Sequence, residues 1–145
     1  MSQWDVFSPS PREGNPLAVL SDARGLSGAE MQPIVKEMNL SETTFIFPRE
    51  PDTERERGIR VRIFTLQEEL PFAGHPTLGT AFWFRNGRAA SEVVLELNAG
   101  RVPVRSEQTP GQPAFGEMTQ IDPEFGAVQE REAVARATHR STITG

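Results

Sequence analysis

The feature that most constrains this chain is the segment Pro76–Phe84, in which Leu78, Ala81, Phe82, Trp83 and Phe84 leave hardly any polar face on the helix they predict. A helix that is apolar all round must be enclosed by the rest of the protein. Arg85-Asn86-Gly87 stops it, and Pro76 suits the first helical position, which places His75 at the cap. The N-terminus of such a helix offers unpaired amide donors and the positive end of a dipole, an arrangement that suits a carboxylate. By residue type alone, a simple cap or a satisfied buried imidazole accounts for His75 as well as a functional group does.

The enclosure has to come from the flanking segments, and these read mainly as short strands. Trp4-Asp5-Val6-Phe7 opens the chain as a strand, a turn-rich loop follows through Gly14-Asn15-Pro16, and Leu17–Leu20 makes a wholly apolar second strand. Thr43–Phe47 is rich in β-branched and aromatic residues. Ile59, Val61 and Ile63 alternate with Arg60 and Arg62, so that strand buries one face and pairs with Thr43–Phe47. Between them, Pro48–Gly58 reads as a charged connector tipping a hairpin. Val93, Leu95 and Leu97 face Val102 and Val104 across Asn98-Ala99-Gly100, a second hairpin, and Ala114–Gln120 forms a last strand.

Two further helices are expected. Ser27 with Glu30 three residues on is a capping box, and Met31, Ile34, Val35 and Met38 recur at helical spacing. Pro33 should kink that helix or delay its start, and Asn39 suits a left-handed C-terminal position. Glu130–Ala137 is a weakly amphipathic helix, and Ser141–Gly145 is expected to fray. Hydrophobic content of 37% with 12 Gly and 12 Pro fits this turn-rich mixture better than a helical bundle. The expected class is α+β: a strongly curved, mostly antiparallel sheet or barrel around the Pro76–Phe84 helix.

Charge and composition narrow the chemistry. The net charge is −5 and Lys36 is the sole lysine, which argues against nucleic acid as a partner. Residues 1–5 lack the basic and apolar regions of a signal peptide, and no apolar run reaches membrane-spanning length, so a cytoplasmic protein without a membrane partner is expected. Cysteine is absent, which excludes disulfides, thiolate metal sites and a cysteine proton carrier. With two histidines and no ligand spacing, no metal site is expected. Glu42 stands between a helix end and a strand, where a carboxylate can approach a pocket without occupying the core. A solvated glutamate at a strand edge would look the same, and is the commoner case.

Four segments, taken in order, resemble the phenazine-biosynthesis PhzF-like isomerase/epimerase family, whose fold is that of diaminopimelate epimerase. They are Gly14–Val19; Glu37–Phe45; Arg62–Thr65 continuing through Glu69–Ala81; and Met118–Gln120 with Pro123–Gly126. The resemblance implies that Glu42 is the general acid/base moving a proton between carbons of a small carboxylated substrate. It further implies that Gly74, His75, Pro76 and Thr77 cradle that substrate, with Asn15 and Ser41 in support, and that no metal or organic cofactor is used. Related diaminopimelate epimerases and proline racemases use a cysteine pair, which cannot exist here. Leu66 departs from the family's usual proline after Arg-Ile-Phe-Thr.

The larger departure is extent. Family members look like two similar domains facing across a cleft, and the resemblance covers the first, here 1–128, with 129–145 as a helix and tail beginning the connection. A half-site has an open face, so little or no turnover by the monomer is expected. Two other readings remain: a noncatalytic module that self-associates, as a homodimer, or docks a separate second half, and a truncated gene product. Only some relatives with these motifs make phenazines, so the motifs do not name the substrate.

Overall fold

The computed structural model describes residues 1–10, 12–86, 91–109 and 111–137. Among the described residues, eight strands form one curled, half-barrel sheet: β1 (Ser2–Val6), β2 (Asn15–Leu20), β3 (Glu42–Phe47), β4 (Ile59–Thr65), β5 (Glu69–Leu70), β6 (Glu92–Leu97), β7 (Gly100–Glu107) and β8 (Phe115–Met118). Their order is β1-β2-β3-β4-β6-β7-β8, with β5 pairing β4 at one end. The β2–β3 and β4–β6 pairs are parallel and the others antiparallel. The fold is α+β, with four helices among the described residues: α1 (Gly28–Met38), α2 (Pro51–Arg57), α3 (Gly74–Arg85) and α4 (Arg131–Ala137).

The sheet curls because its inner face has a helix to cover. Leu17, Val19, Ile46, Ile59, Val61, Ile63, Leu95 and Val102 point inward and share one core with Ala81 of α3 and the partly buried Leu78, Trp83 and Phe84. The period-2 alternation of β4 thus does what its sequence requires. Its outer face is not left to solvent. Phe64 packs edge-on against Phe45 at 5.4 Å, and both lie under Met31 and Val35 of α1 in a second core.

Several local expectations meet the structure with a difference. Helix α1 carries the Ser27–Glu30 capping box and ends on Asn39 in the left-handed region, but it runs unbroken through Pro33 from Gly28. Ala29 and Pro33 are both exposed, so the carbonyl that loses its partner can turn to water. The connector 48–58 does join an antiparallel pair, yet it folds as α2, with Pro51 in its first turn, Asp52 and Glu54 at the start, Arg55 and Arg57 at the end, and Gly58 at φ 93 beyond. That arrangement of proline, charge and glycine is a helix signature. Strand β1 stops at Val6, one residue short of the expected Phe7, which adopts φ 68. Helix α4 has no buried residue, and the expected fraying of 141–145 lies outside the described residues.

Candidate active site

Glu42 opens β3 and is registered against Leu17 of β2 and Thr65 of β4. It therefore sits at one end of the half-barrel, where three strands meet. Alternation along β3 turns Glu42, Thr44 and Ile46 toward the inner face, while Thr43 and Phe45 face α1. The first turn of α3 arrives at this same end. Its position is set by the segment leading into it: Arg62 holds Glu69 through two bonds of 2.7 and 2.6 Å, Glu69 accepts from Asn98 Nδ2 at 2.6 Å, and the Ala99 N–H donates to the Pro71 carbonyl at 3.0 Å. The Asn98-Ala99 turn of the β6–β7 hairpin thus anchors the approach to Gly74.

Helix α3 begins two residues earlier than expected. Ala73 is the N-cap, its carbonyl accepting from the Thr77 N–H at 3.3 Å and from Thr77 Oγ1 at 2.6 Å, so His75 and Pro76 occupy the second and third helical positions. Proline is tolerated there because the first-turn amides have no intrahelical acceptor in any helix. The same geometry leaves the Gly74 and His75 N–H groups pointing out of the helix end, with no acidic side chain in the first turn to compete for them.

The His75 ring reaches Glu42, its Nδ1 lying 3.1 Å from Glu42 Oε2, with the side chains 8% and 20% exposed. The two touch without aligning as a hydrogen bond. Glu42 Oε2 and His75 Nε2 are both buried and have no hydrogen-bond partner among the described residues. A buried polar atom left unpaired is costly, so both atoms call for a hydrogen-bond partner such as water or a ligand group. Burial holds the imidazole below its ordinary value, against the Glu42 carboxylate and the Pro16 carbonyl, both of which favour the protonated ring. Burial thus favours the neutral ring, which can donate from one nitrogen and accept at the other.

Of the other residues named from sequence, Gly74 opens α3 and Thr77 is fully buried, its hydroxyl spent on the cap. Asn15 starts β2, two residues before the Leu17–Glu42 register, and is exposed; Ser41 precedes Glu42 and is also exposed. The structure adds two neighbours that residue type did not announce. One is the Pro16 carbonyl. The other is Phe7, 71% exposed, whose ring centroid lies 6.3 Å from that of His75. Phe7 also borders a cavity of about 640 Å³ that runs beside α3 between the edge strands β1 and β8, walled by Trp4, Leu78, Phe82 and Phe115. Among the described residues no group of three metal-ligating side chains occurs, and no helix is long and apolar enough to cross a membrane.

Comparison with known proteins places these residues in context. Residues 4–142 match the family described as phenazine biosynthesis-like protein, PhzC-PhzF. The chain is 42% identical over 119 residues to trans-2,3-dihydro-3-hydroxyanthranilate isomerase of Pseudomonas aeruginosa, covering 82% of this chain and 41% of that protein. The Pseudomonas fluorescens isomerase of the same name is 41% identical over 141 residues, 97% of this chain and 49% of that one. Among solved structures, a "Predicted Epimerase" from Pseudomonas aeruginosa superposes with a TM-score of 0.77 at 38% identity, covering 94% of this chain and 48% of its own. A PhzF-family phenazine biosynthesis protein of Bacillus anthracis gives 0.72 at 30% identity, covering 92% and 44%. The chain therefore spans under half the length of these relatives.

Proposed function

This chain belongs to the phenazine biosynthesis-like PhzC-PhzF family, and from that premise we propose that it forms one wall of an isomerase site in which Glu42 moves a proton between two carbons of a small carboxylated substrate. The observation that carries the reading is the contact of Glu42 with His75, in which Glu42 Oε2 and His75 Nε2 are both buried without a hydrogen-bond partner among the described residues. The substrate carboxylate is bound by the free N–H groups of Gly74 and His75 and the positive end of α3. Glu42 accepts the proton as a C–H bond breaks and becomes a carboxylic acid. It then returns that proton to a second carbon as the new C–H bond forms, so the substrate is isomerised with no net change in protons or electrons. Neutral His75 donates one hydrogen bond to the substrate during the shift. Proton transfer of this kind asks nothing of a metal or organic cofactor.

In this reading residues 1–128 form the domain that carries the site and 129–145 begin the connection to a second one, and the groups facing Glu42 from the far side of the substrate come from that second body. Positioning by both walls supplies much of such a rate, since orientation alone is worth roughly 7–11 kcal/mol. The test uses the relatives' substrate, trans-2,3-dihydro-3-hydroxyanthranilate, in deuterium oxide. The chain alone is expected to incorporate little deuterium. Adding the separately expressed second half of the Pseudomonas aeruginosa relative should produce incorporation that disappears with Glu42→Gln. Incorporation that persists in the variant would remove Glu42 from the mechanism.

A second reading, a noncatalytic docking or self-associating module, is favoured by Phe7, Phe115, Phe125 and Val128, which are 71%, 67%, 91% and 99% exposed. Sedimentation over a range of concentrations tests the self-associating form: a monomer at every concentration removes it.

A further inference from the structure

Two threonines lie in the apolar core next to the site, and both are fully buried. Thr80 of α3 donates from Oγ1 to Thr44 Oγ1 of β3 at 2.9 Å, and Thr44 donates onward to the Ala18 carbonyl of β2 at 3.4 Å. Valine would fill either position with nearly the same volume and no hydroxyl to desolvate. A satisfied hydroxyl pair in such a place specifies one geometry rather than adding apolar burial.

The geometry that it specifies is that of the site. Thr44 stands two residues after Glu42 on the same face of β3, about 7 Å along the strand. Thr80 stands five residues after His75 on α3, about 7.5 Å along the helix. Helix and strand thus run the same way with two contacts at matching intervals, Glu42–His75 and Thr44–Thr80. Five residues also turn the helix about 140° beyond a whole turn, so the two side chains leave it on different sides and reach the same strand. A rotation that brings one closer takes the other away, and a slide of the helix lengthens both.

We propose that Thr44 and Thr80 are positioning residues whose hydroxyl contact sets the height and rotation of α3 against β3, and thereby holds His75 against Glu42. The catalytic meaning of this rests on the reading of Glu42 and His75 given above, but the mechanical coupling stands apart from it. The ring of His75 faces Glu42 of β3, the Pro16 carbonyl of β2 and the Phe7 ring after β1; Glu42 is the ionisable group among them.

The experiment is a double-mutant cycle read from the His75 ring by NMR titration, with no substrate. In the parent chain Glu42→Gln should lower the His75 midpoint, because a neighbouring carboxylate favours the imidazolium. In a Thr80→Val background that displacement should shrink to half or less, and Thr80→Ser should restore it. Thr44→Val approaches the same contact from the strand and carries the test if Thr80→Val does not fold. A displacement of unchanged size in the valine variants, with only the unfolding temperature reduced, would overturn the proposal, as would a His75 midpoint indifferent to Glu42→Gln in the parent. Loss of the deuterium exchange described above bears instead on Glu42.

Discussion

Gly79 of α3 lies so close to Leu17 of β2 that a Cβ added to the glycine would stand 2.6 Å from Leu17 Cδ2, and equally 2.6 Å from Val6 Cγ2 of β1. Leu17 is wholly buried and Val6 nearly so, so neither can swing away freely. Helix α3 can nest this deeply because it presents no side chain there. Gly79→Ala gains about 1 kcal/mol of helix propensity but overpacks a closed core at roughly 1–3 kcal/mol. A net loss of about 1 kcal/mol is expected, a fall of roughly 2–5 °C in unfolding temperature for a chain of this size. A variant as stable as the parent would show that the helix can ride outward.

Acid should destabilise the chain in two separate windows. His75 is held below its ordinary value by burial, so the unfolded chain binds a proton before the folded one does. Its contribution is complete above about pH 6.5 and is lost as pH falls from there toward the depressed folded value. Glu69 and Glu96 are lowered, mainly by hydrogen bonds from Arg62 and Arg49 respectively. Their contribution is present above the ordinary carboxylate value, near pH 4.5, and is lost only as pH falls below it. Unfolding temperatures measured between about pH 8 and 5 should fall in the parent and be flatter in His75→Asn. An equal slope in both would assign the upper window to another group.

Most of this architecture was legible because inward-facing positions repeat with a clean period. Ile59, Val61 and Ile63 announce β4, the 98–99 turn announces β6 and β7, and the capping box announces α1. Glu42 and His75 could each be singled out, but their 3.1 Å contact depends on β3 and α3 meeting at one end of a curled sheet, which no local pattern carries. The start of α3 is not legible locally, because Pro76 suits a first position whereas the Ala73 carbonyl, bonded twice by Thr77, sets the start earlier. Helix α2 is signalled only by its proline, charges and glycine, since its seven residues offer no buried face to give a hydrophobic period. The left-handed backbone at Phe7 had no signal at all, because phenylalanine rarely adopts it.

Glu96 of β6 should be worth more than an ordinary surface carboxylate. It accepts from Arg49, just before α2, at 2.5 Å and from Arg57, at the end of α2, at 2.9 Å, with its own side chain 16% exposed. These bonds fasten both ends of the short helix to the sheet. Glu96→Gln should cost about 1 kcal/mol, since the network is partly shielded while isolated surface pairs contribute roughly 0–1 kcal/mol. The difference from the parent should narrow in high salt. Chemical denaturation with urea, which leaves ionic strength unchanged, measures both; a difference that is independent of salt would mean that Glu96 acts through packing.

Phe7 holds a backbone angle that suits glycine, φ 68, while its ring stands mostly in solvent against His75. For a residue with a Cβ, the left-handed conformation costs about 1–2 kcal/mol, and with little ring area buried the packing return is small. Strain of this sort persists where the surroundings fix it, often beside a functional group. Phe7→Gly should therefore leave stability unchanged or raise it by up to about 1 kcal/mol, since glycine takes the angle without strain but has more freedom to lose on folding. The same change uncovers the imidazole, so the His75 midpoint should move up toward its ordinary value as the cost of burial relaxes. Thermal unfolding and NMR titration on one sample separate the two effects. A destabilised variant with an unmoved His75 would show that the ring braces β1 and leaves the site alone.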